Sequence, residues 1–169
     1  YSLETLLNSG LIRRLVLVYR AGDKNEINEI LQSAGLSDQV DRIPGGEARF
    51  DSVWNGLQVL AELSLDLPEV VLIHDAARAL APTDLMDRLV EAVVEGAPAV
   101  IPGLAVTDTI KQVAVDEHGV ETVVATPARR SLRVAQTPQA FLLGPLWNAH
   151  VGSADRGATR PILPSGSPR

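Results

Sequence analysis

The chain has 169 residues, no cysteine and a formal net charge of −6. These values exclude a disulfide framework, and they argue against a nucleic-acid partner, because that partner requires a basic face. Apolar runs fall far short of the roughly 20 residues that cross a bilayer, so no membrane partner is expected. The lack of cysteine and of a signal-peptide pattern near residue 1 predicts a cytoplasmic location.

Helical and strand-like patterns alternate along the first hundred residues. In chain order we expect a helix between Ser2 and Gly10, a strand at 15–19, a helix from Asp23 to Gly35, a short strand at 40–43, a helix from Asp51, a strand at 70–73, a helix from Thr83 to Gly96 and a strand at 99–101. The two longer apolar runs are typical of strands buried on both faces. This order favours an α/β fold with a mostly parallel sheet, whose ligands bind beyond the carboxyl ends of the strands.

The pattern changes after residue 105. Two segments rich in Val and Thr, 109–115 and 120–125, flank a turn in which Gly119 can supply a positive φ. No helix separates them, so they predict an inserted β-arm. Residues 132–135 are expected to rejoin the sheet and 142–149 to form a last helix. We therefore expect one domain over 1–150 with the arm at about 109–130, and an irregular or disordered tail over 151–169.

The first candidate site is the sequence HDAAR at 74–78. Asp75 follows a predicted buried strand, where a carboxylate can hold a divalent cation or a sugar hydroxyl. Ala76 is small enough for a ligand to approach the backbone, and the planar guanidinium of Arg78 suits a phosphate. Alternatively, Asp75 and Arg78 cap the next helix and pair with each other. For His74 a hydrogen-bonded role under the loop is favoured over that of a general base.

Three further motifs carry weaker signals. Residues 44–52 contain two glycines before a predicted helix, and the backbone amides of these glycines can bind an anion. Alternatively, the segment is an ordinary turn into the helix with Asp51 as its N-cap. Thr107, Asp108, Thr109 and Lys111 can bind phosphate, although a lysine also blunts an ordinary strand edge. The arginines at 129, 130 and 133 fit an anionic ligand or a solvated face. No zinc spacing or nucleophile elbow is present.

In this order, GGEARFDSV, VLIHDAAR, VTDTIK and TPARRSLRVAQTPQAF resemble the 2-C-methyl-D-erythritol 4-phosphate cytidylyltransferase family over residues 3–141. The resemblance implies a Rossmann-like fold of the nucleotide-diphosphosugar-transferase type. It implies an enzyme that transfers CMP from CTP to a sugar-alcohol phosphate, releases pyrophosphate and uses Mg²⁺. It also implies a homodimer formed partly through the β-arm.

The same resemblance implies roles for individual residues. Gly46, Glu47 and Ser52 would line the cytosine pocket, and Ala76 would lie against the substrate. Asp75 would lie by the ribose and the metal, and Arg78 would contact the phosphorylated acceptor. Thr109, Thr137 and Arg129 would bind that acceptor, with Arg129 reaching the partner subunit. Lys111 matches a family lysine and is expected to act in catalysis in a role left open.

Two departures from the family pattern are visible. The family has a glycine-rich loop with an arginine and a lysine that bind the triphosphate, and this sequence shows no such loop before Ser2. The family also has a lysine near the C-terminus, whereas the last lysine of this sequence is Lys111. We therefore expect an incomplete chain, truncated or with an altered reading frame in the tail, with little or no turnover. An unpaired apolar strand edge and poor solubility should follow. The alternatives are a ribitol-5-phosphate type of cytidylyltransferase and a non-catalytic dimeric remnant.

Overall fold

The computed structural model describes residues 2–63 and 70–154. The helices are α1 (Ser2–Asn8), α2 (Lys24–Ser33), α3 (Arg49–Leu63), α4 (Thr83–Val94) and α5 (Leu143–Ala154), with 3₁₀ turns at Ala21–Asp23 and Arg129–Ser131. The strands are β1 (Val16–Tyr19), β2 (Asp41–Pro44), β3 (Val70–Ile73), β4 (Ala99–Val100), β5 (Gly103–Ala105), β6 (Gln112–Val115), β7 (Glu121–Ala125), β8 (Arg133–Ala135) and β9 (Gln139–Leu142). The alternating α/β order predicted for the first hundred residues is confirmed.

The core strands form two separate sheets, the parallel pair β1–β2 and the antiparallel three-stranded sheet β3–β9–β4. β1 and β2 run parallel, with Val16 opposite Asp41. β9 lies between β3 and β4 and is antiparallel to both, so β3 and β4 run in the same direction. The core strands therefore depart from an all-parallel arrangement at β9.

The expectation that 132–135 rejoins the sheet of the core strands is wrong. β8 pairs instead with β5, antiparallel, at the base of the arm. The strand that pairs with β3 and β4 is β9, at a point where the sequence predicts a break at 137–139 and a helix from residue 142. β9 directly follows Pro138, and a proline at that position is typical of a strand break.

The β-arm is confirmed as the hairpin β6–β7. Its turn is closed by Asp116, whose Oδ1 accepts hydrogen bonds from the backbone N–H of His118 and of Val120 at 2.9 Å each. Gly119 has φ +79°, the conformation that the sequence predicted for it. Both strands of the hairpin are exposed along their length, and the exposed residues include several valines.

The core divides into three apolar clusters. The first joins α1, α2 and the start of β1 to α4, around Leu31 and Met86. The second packs α3 and α5 against β3, around Leu57 and Leu146. The third packs α4 against β9, around Leu89 and the fully buried Ala140. Burial of one such leucine side chain contributes about 1.5–3 kcal/mol, so these clusters anchor the helices on the sheet.

A cleft lies between the β1–β2 sheet and the β3–β9–β4 sheet. In the described part of the chain, β1 pairs only with β2, and β3 pairs only with β9, so each has an edge without a strand neighbour. The cleft between them has a volume of about 1500 Å³ and is lined by the apolar residues of both strands and by Leu57 and Leu60 of α3. The expected unpaired, apolar strand edge is therefore present.

The carboxyl-terminal helix is longer than the sequence indicated. α5 continues to Ala154, so residues 151–154 are helical and do not belong to an irregular tail. The rest of the predicted tail, 155–169, lies outside the described residues, and the division into one domain over 1–150 stays a prediction. Within the described ranges, no helix combines the length and the apolar character needed to cross a membrane.

Candidate active site

The carboxyl ends of three strands meet at one end of the cleft. Its lining there includes Tyr19 at the end of β1 and Arg20 after it, Gly46 and Glu47 after β2, and residues that follow β3. Ligands in sheets of this kind bind beyond the carboxyl ends of strands. The position of the candidate site therefore follows from the sheet itself.

Asp75 is held at this end by a residue distant in sequence. Its backbone N–H donates to the Oγ1 of Thr137 at 3.1 Å. Thr137 is only 6% exposed. β3 and β9 are antiparallel with Ile73 opposite Gln139, so the same register, continued by two residues, places Thr137 opposite Asp75. The predicted association of Asp75 with Thr137 in one site is thus a consequence of strand pairing.

The Asp75 carboxylate lies between two arginines. Its Oδ1 is 3.3 Å from Nη2 of Arg49, and its Oδ2 is 3.9 Å from Nε of Arg78. Arg78 also donates through Nη1 to Oε1 of Gln136. The side chain of Asp75 is 43% exposed, that of Arg49 57% and that of Arg78 42%. Exposed pairs of this kind contribute about 0–1 kcal/mol to stability, so the network orients side chains rather than stabilising the fold.

Arg49 is a site residue that the sequence reading missed. The motif GGEARFDS predicts a glycine loop, and its pattern assigns no role to Arg49. A signal was present, since Arg49 is the first residue of α3 and a cation there opposes the helix dipole. Such an unfavourable placement indicates that a nearby anion compensates for it, and in this structure that anion is Asp75.

The glycine loop between β2 and α3 is folded tightly on itself. The Gly46 N–H donates to Oγ of Ser52 at 3.2 Å, and that hydroxyl donates to the carbonyl of Ala48 at 3.1 Å. A Cβ on Gly46 would lie 2.3 Å from the Cβ of Asp51, so a side chain there forces the loop to shift. The alternative that Asp51 is the N-cap is wrong: it is the third residue of α3, and its Oδ2 accepts from the Ala48 N–H at 3.0 Å.

His74 lies beneath the turn that carries Asp75 and Arg78. Burial lowers the pKa of its imidazole below 6.5, and a hydrogen bond to the backbone of Arg78 opposes that shift only in part. Its Nδ1 is buried and finds no hydrogen-bond partner among the residues that the structure describes. The expectation that His74 is a hydrogen-bonded residue under the loop stays a prediction.

The predicted site residues divide into two groups. Gly46, Glu47, Ser52, Asp75 and Ala76 all line the cleft, and Arg78 and Thr137 contact Asp75 directly. The arm residues form their own contacts at the root of the hairpin.

Those arm contacts are local. Lys111 donates through Nζ to Oγ1 of Thr126 at 2.9 Å, and Arg129 donates through Nη1 to the carbonyl of Thr107 at 2.6 Å. Thr109 is exposed in the segment between β5 and β6. None of Thr109, Lys111 and Arg129 is among the described residues that line the cleft. Their roles therefore stay predictions.

The donor set restricts the kind of metal site. Within 2–63 and 70–154, no three His, Asp or Glu side chains converge to hold an ion. Among the described residues, Asp75 is the carboxylate that pairs with both Arg49 and Arg78. Mg²⁺ is commonly held by one or two carboxylates together with substrate phosphates. The site therefore fits a cation that arrives with a phosphorylated ligand, and it does not fit a site made entirely of protein ligands.

Comparisons with known proteins agree with this geometry. A family model for 2-C-methyl-D-erythritol 4-phosphate cytidylyltransferase (IspD) matches residues 1–160. The chain is 41% identical over 150 residues to the enzyme of that name from Corynebacterium glutamicum (strain R), covering 86% of this chain and 57% of the relative. It is 44% identical over 153 residues to the one from Saccharopolyspora erythraea, covering 89% of this chain and 64% of the relative.

Solved structures give the same result for the fold. 4-Diphosphocytidyl-2C-methyl-D-erythritol synthase from Anaerococcus prevotii matches with a TM-score of 0.72 and 25% identity, over 95% of this chain and 68% of that one. The Francisella tularensis cytidylyltransferase matches with a TM-score of 0.67 and 26% identity, over 92% of this chain and 65% of that one. The predicted Rossmann-like fold is therefore confirmed. The chain spans 57% to 64% of the length of the two curated relatives named above, and it belongs to the 2-C-methyl-D-erythritol 4-phosphate cytidylyltransferase family.

Proposed function

We propose that this chain supplies the reaction centre of a cytidylyltransferase that transfers CMP from CTP to 2-C-methyl-D-erythritol 4-phosphate and releases pyrophosphate. The observation that carries the proposal is the position of Asp75. It is fixed at the convergent carboxyl ends, between Arg49 and Arg78, and lines the same cleft as the glycine loop. Membership of the family supports this choice of reaction.

The reaction is an in-line displacement at the α-phosphorus of CTP. An oxygen of the acceptor phosphate forms the new P–O bond, and the bond to the bridging oxygen of pyrophosphate breaks. Two anions must approach each other, so the protein contributes positioning and charge neutralisation, not a nucleophile. Arg78 would orient the acceptor phosphate, and Arg49 would hold the Asp75 carboxylate in the direction of the triphosphate.

A divalent cation would bind between the protein and the nucleotide. Asp75 would hold Mg²⁺ together with oxygens of the triphosphate, and the ion would supply neutralisation of the charge on the leaving pyrophosphate. The arginines that pair with Asp75 compete with the cation for its oxygens. The metal should therefore bind with CTP and only weakly alone.

The glycine loop would read the base. Gly46, Glu47 and Ser52 line the cleft beside the carboxyl end of β1, and the internal hydrogen bonds of the loop fix its shape. A loop fixed in this way loses little conformational freedom when a flat base binds to it. This is our assignment for the cytosine pocket.

The arm would form a homodimer and complete the acceptor site. Its exposed valines provide an apolar surface, and Thr109, Lys111 and Arg129 lie at its root. We assign Arg129 to the partner's acceptor site and place the reaction in the cytoplasm. The related ribitol-5-phosphate reaction remains the alternative, since both acceptors are polyol phosphates.

A non-catalytic dimeric remnant is the second candidate. One observation in its favour is the open cleft between β1 and β3. A second is that Arg49 and Arg78 both pair with Asp75, so less of the positive charge of these two arginines is available to bind a triphosphate. We therefore expect low turnover from these 169 residues and high turnover from a form extended to the length of the relatives.

Pyrophosphate release tests the proposal. CTP and Mg²⁺ are supplied with either methylerythritol phosphate or ribitol 5-phosphate, to both the 169-residue chain and the extended form. We expect pyrophosphate release with methylerythritol phosphate, and we expect Asp75→Ala to abolish it. Arg88→Ala is the control that should retain release, because it removes an exposed arginine that pairs with Asp84 on α4. Release only with ribitol 5-phosphate supports the alternative acceptor, and no release from the extended form with either acceptor contradicts the proposal.

A further inference from the structure

We propose that Gln136 is a positioning residue, whose side-chain amide aims the Arg78 guanidinium and leaves the charge of that arginine available to the acceptor phosphate. The proposal rests on the proposed function for the identity of the phosphate. The contacts that join Gln136 to Arg78 do not depend on that function.

The backbone of Gln136 is fixed at the base of the arm. β8 pairs with β5 there, with Ala135 opposite Gly103. The Gln136 N–H donates to the carbonyl of Pro102 at 2.8 Å, which continues this pairing by one residue. The Gln136 carbonyl accepts a hydrogen bond from Nε2 of Gln139 at 3.3 Å. The side chain of Gln136 therefore starts from a defined point between β8 and β9.

The side-chain amide of Gln136 has one orientation that satisfies its contacts. Its Nε2 donates to the carbonyl of Ala135 at 3.1 Å and to that of Val134 at 3.3 Å. Its Oε1 accepts a hydrogen bond from Nη1 of Arg78. A carbonyl only accepts and a guanidinium only donates, so a flipped amide would face acceptor with acceptor and donor with donor. The amide oxygen is therefore directed at Arg78.

Arg78 has two contacts of different kinds. Its Nε lies 3.9 Å from Oδ2 of Asp75, which is too long for a hydrogen bond. Of the two, the bond from Nη1 to Gln136 is therefore the directional one. A guanidinium carries its N–H donors in a rigid planar fork, so fixing Nη1 sets the direction of the whole group. Because the amide is neutral, it orients this group without cancelling its charge.

The segment that carries Gln136 reaches both ends of the turn at 75–78. The Arg78 N–H donates to the carbonyl of Asp75 at 2.9 Å, which closes the turn. Thr137 accepts from the Asp75 N–H at 3.1 Å, and Gln136 contacts the guanidinium at the other end. Thr137 thus fixes the backbone of the turn, and the side chain of Gln136 adds the direction of Arg78.

Two substitutions separate the direction of Arg78 from its charge. Gln136→Met keeps the length of the side chain and removes the acceptor, and Gln136→Ala replaces it if it fails to fold. Gln136→Glu keeps an oxygen for Arg78 but adds a negative charge that competes with the phosphate. Gln39→Glu is the matched control: Gln39 is exposed, its Nε2 donates to the carbonyl of Gly35 at 3.4 Å, and it lies before the amino end of β2.

The first readout is ¹⁵N relaxation of the Arg78 Nε–H group in the 169-residue chain, with the signal assigned by its loss in Arg78→Lys. We expect the order parameter to fall below about 0.6 in Gln136→Met and to keep its wild-type value in Gln136→Glu. An order parameter that is the same in Gln136→Met and wild type would overturn the proposal, whether or not the chain turns over CTP. Equally low values in the Met and Glu variants would overturn it as well.

The second readout is steady-state kinetics in the extended form. We expect KM for methylerythritol phosphate to rise about tenfold in Gln136→Glu and about threefold in Gln136→Met, with KM for CTP changed less than about twofold. Gln39→Glu should leave both KM values unchanged. An unchanged KM for the acceptor in Gln136→Glu, or an equal rise in both KM values, contradicts the positioning role. An extended wild-type form with no turnover contradicts the proposed function instead, and the order parameters then decide the role of Gln136.

Discussion

The backbone N–H of Asp75 donates to the hydroxyl of Thr137 at 3.1 Å, joining two residues that lie 62 positions apart. This bond connects the end of β3 to the residues that precede β9. It places the carboxylate of Asp75 by means of the sheet, so the site depends on correct pairing of these two strands.

Thr137→Val should therefore affect both stability and activity. Valine has the shape of threonine and lacks the oxygen, so the Asp75 N–H loses its acceptor, at a cost of about 1–3 kcal/mol. Thr137→Ser keeps the oxygen and should retain most activity. Urea unfolding measures the stability, and equal values for the Val and Ser variants would contradict the role of the hydroxyl.

Arg49→Ala should reduce activity far more than stability. The Arg49–Asp75 pair is exposed, so its loss should change the free energy of unfolding by less than about 1 kcal/mol. Nucleotide binding, measured by calorimetry with CTP and Mg²⁺, should weaken because Asp75 loses the contact to Oδ1. Arg88→Ala is the matched control, since it also removes an arginine from an exposed pair, and an equal weakening in that control would argue against a specific role for Arg49.

Gly46→Ala should distort the glycine loop. The added Cβ would lie 2.3 Å from the Cβ of Asp51, and relief of such overpacking costs about 1–3 kcal/mol. Gly144→Ala in α5 serves as the control, because a Cβ there meets no atom within 4 Å. Thermal unfolding should separate the two variants, and CTP affinity should fall only in Gly46→Ala.

Charge placed on the arm should dissociate the proposed dimer without unfolding the monomer. Val113 and Val123 lie opposite each other on the hairpin and are exposed, so Val123→Glu should change the stability of the monomer by no more than about 0.5 kcal/mol. Analytical ultracentrifugation should show dimers for the parent chain and monomers for the variant. A parent chain that is monomeric at all concentrations would contradict the arm as a dimer surface.

The central strands could be predicted from the sequence because their apolar runs are continuous. β3 was located at its observed bounds, and β1 within one residue. β9 is not predicted because it directly follows Pro138, which is typical of a break, and because its partners are distant in the chain. Its antiparallel pairing with β3 and β4 cannot be read from local periodicity.

The candidate site was predicted in part for a similar reason. Asp75 and Arg78 are only three positions apart in the sequence, so their association is visible as a motif. The contact of Asp75 with Arg49 spans 26 positions and depends on how α3 lies beside β3. The assignment of Arg129 depends on a second subunit, which a single chain does not contain.

The central claim is that the carboxyl ends of β1, β2 and β3 form a cytidylyl-transfer site organised by Asp75. The most direct test follows CTP, Mg²⁺ and methylerythritol phosphate by ³¹P nuclear magnetic resonance, using the form extended to the length of the relatives. We predict that signals of a diphosphate diester and of pyrophosphate appear together, and that Asp75→Asn abolishes both while Arg88→Ala retains them. Absence of the diphosphate product, or its formation at the same rate with Asp75→Asn, would contradict the claim.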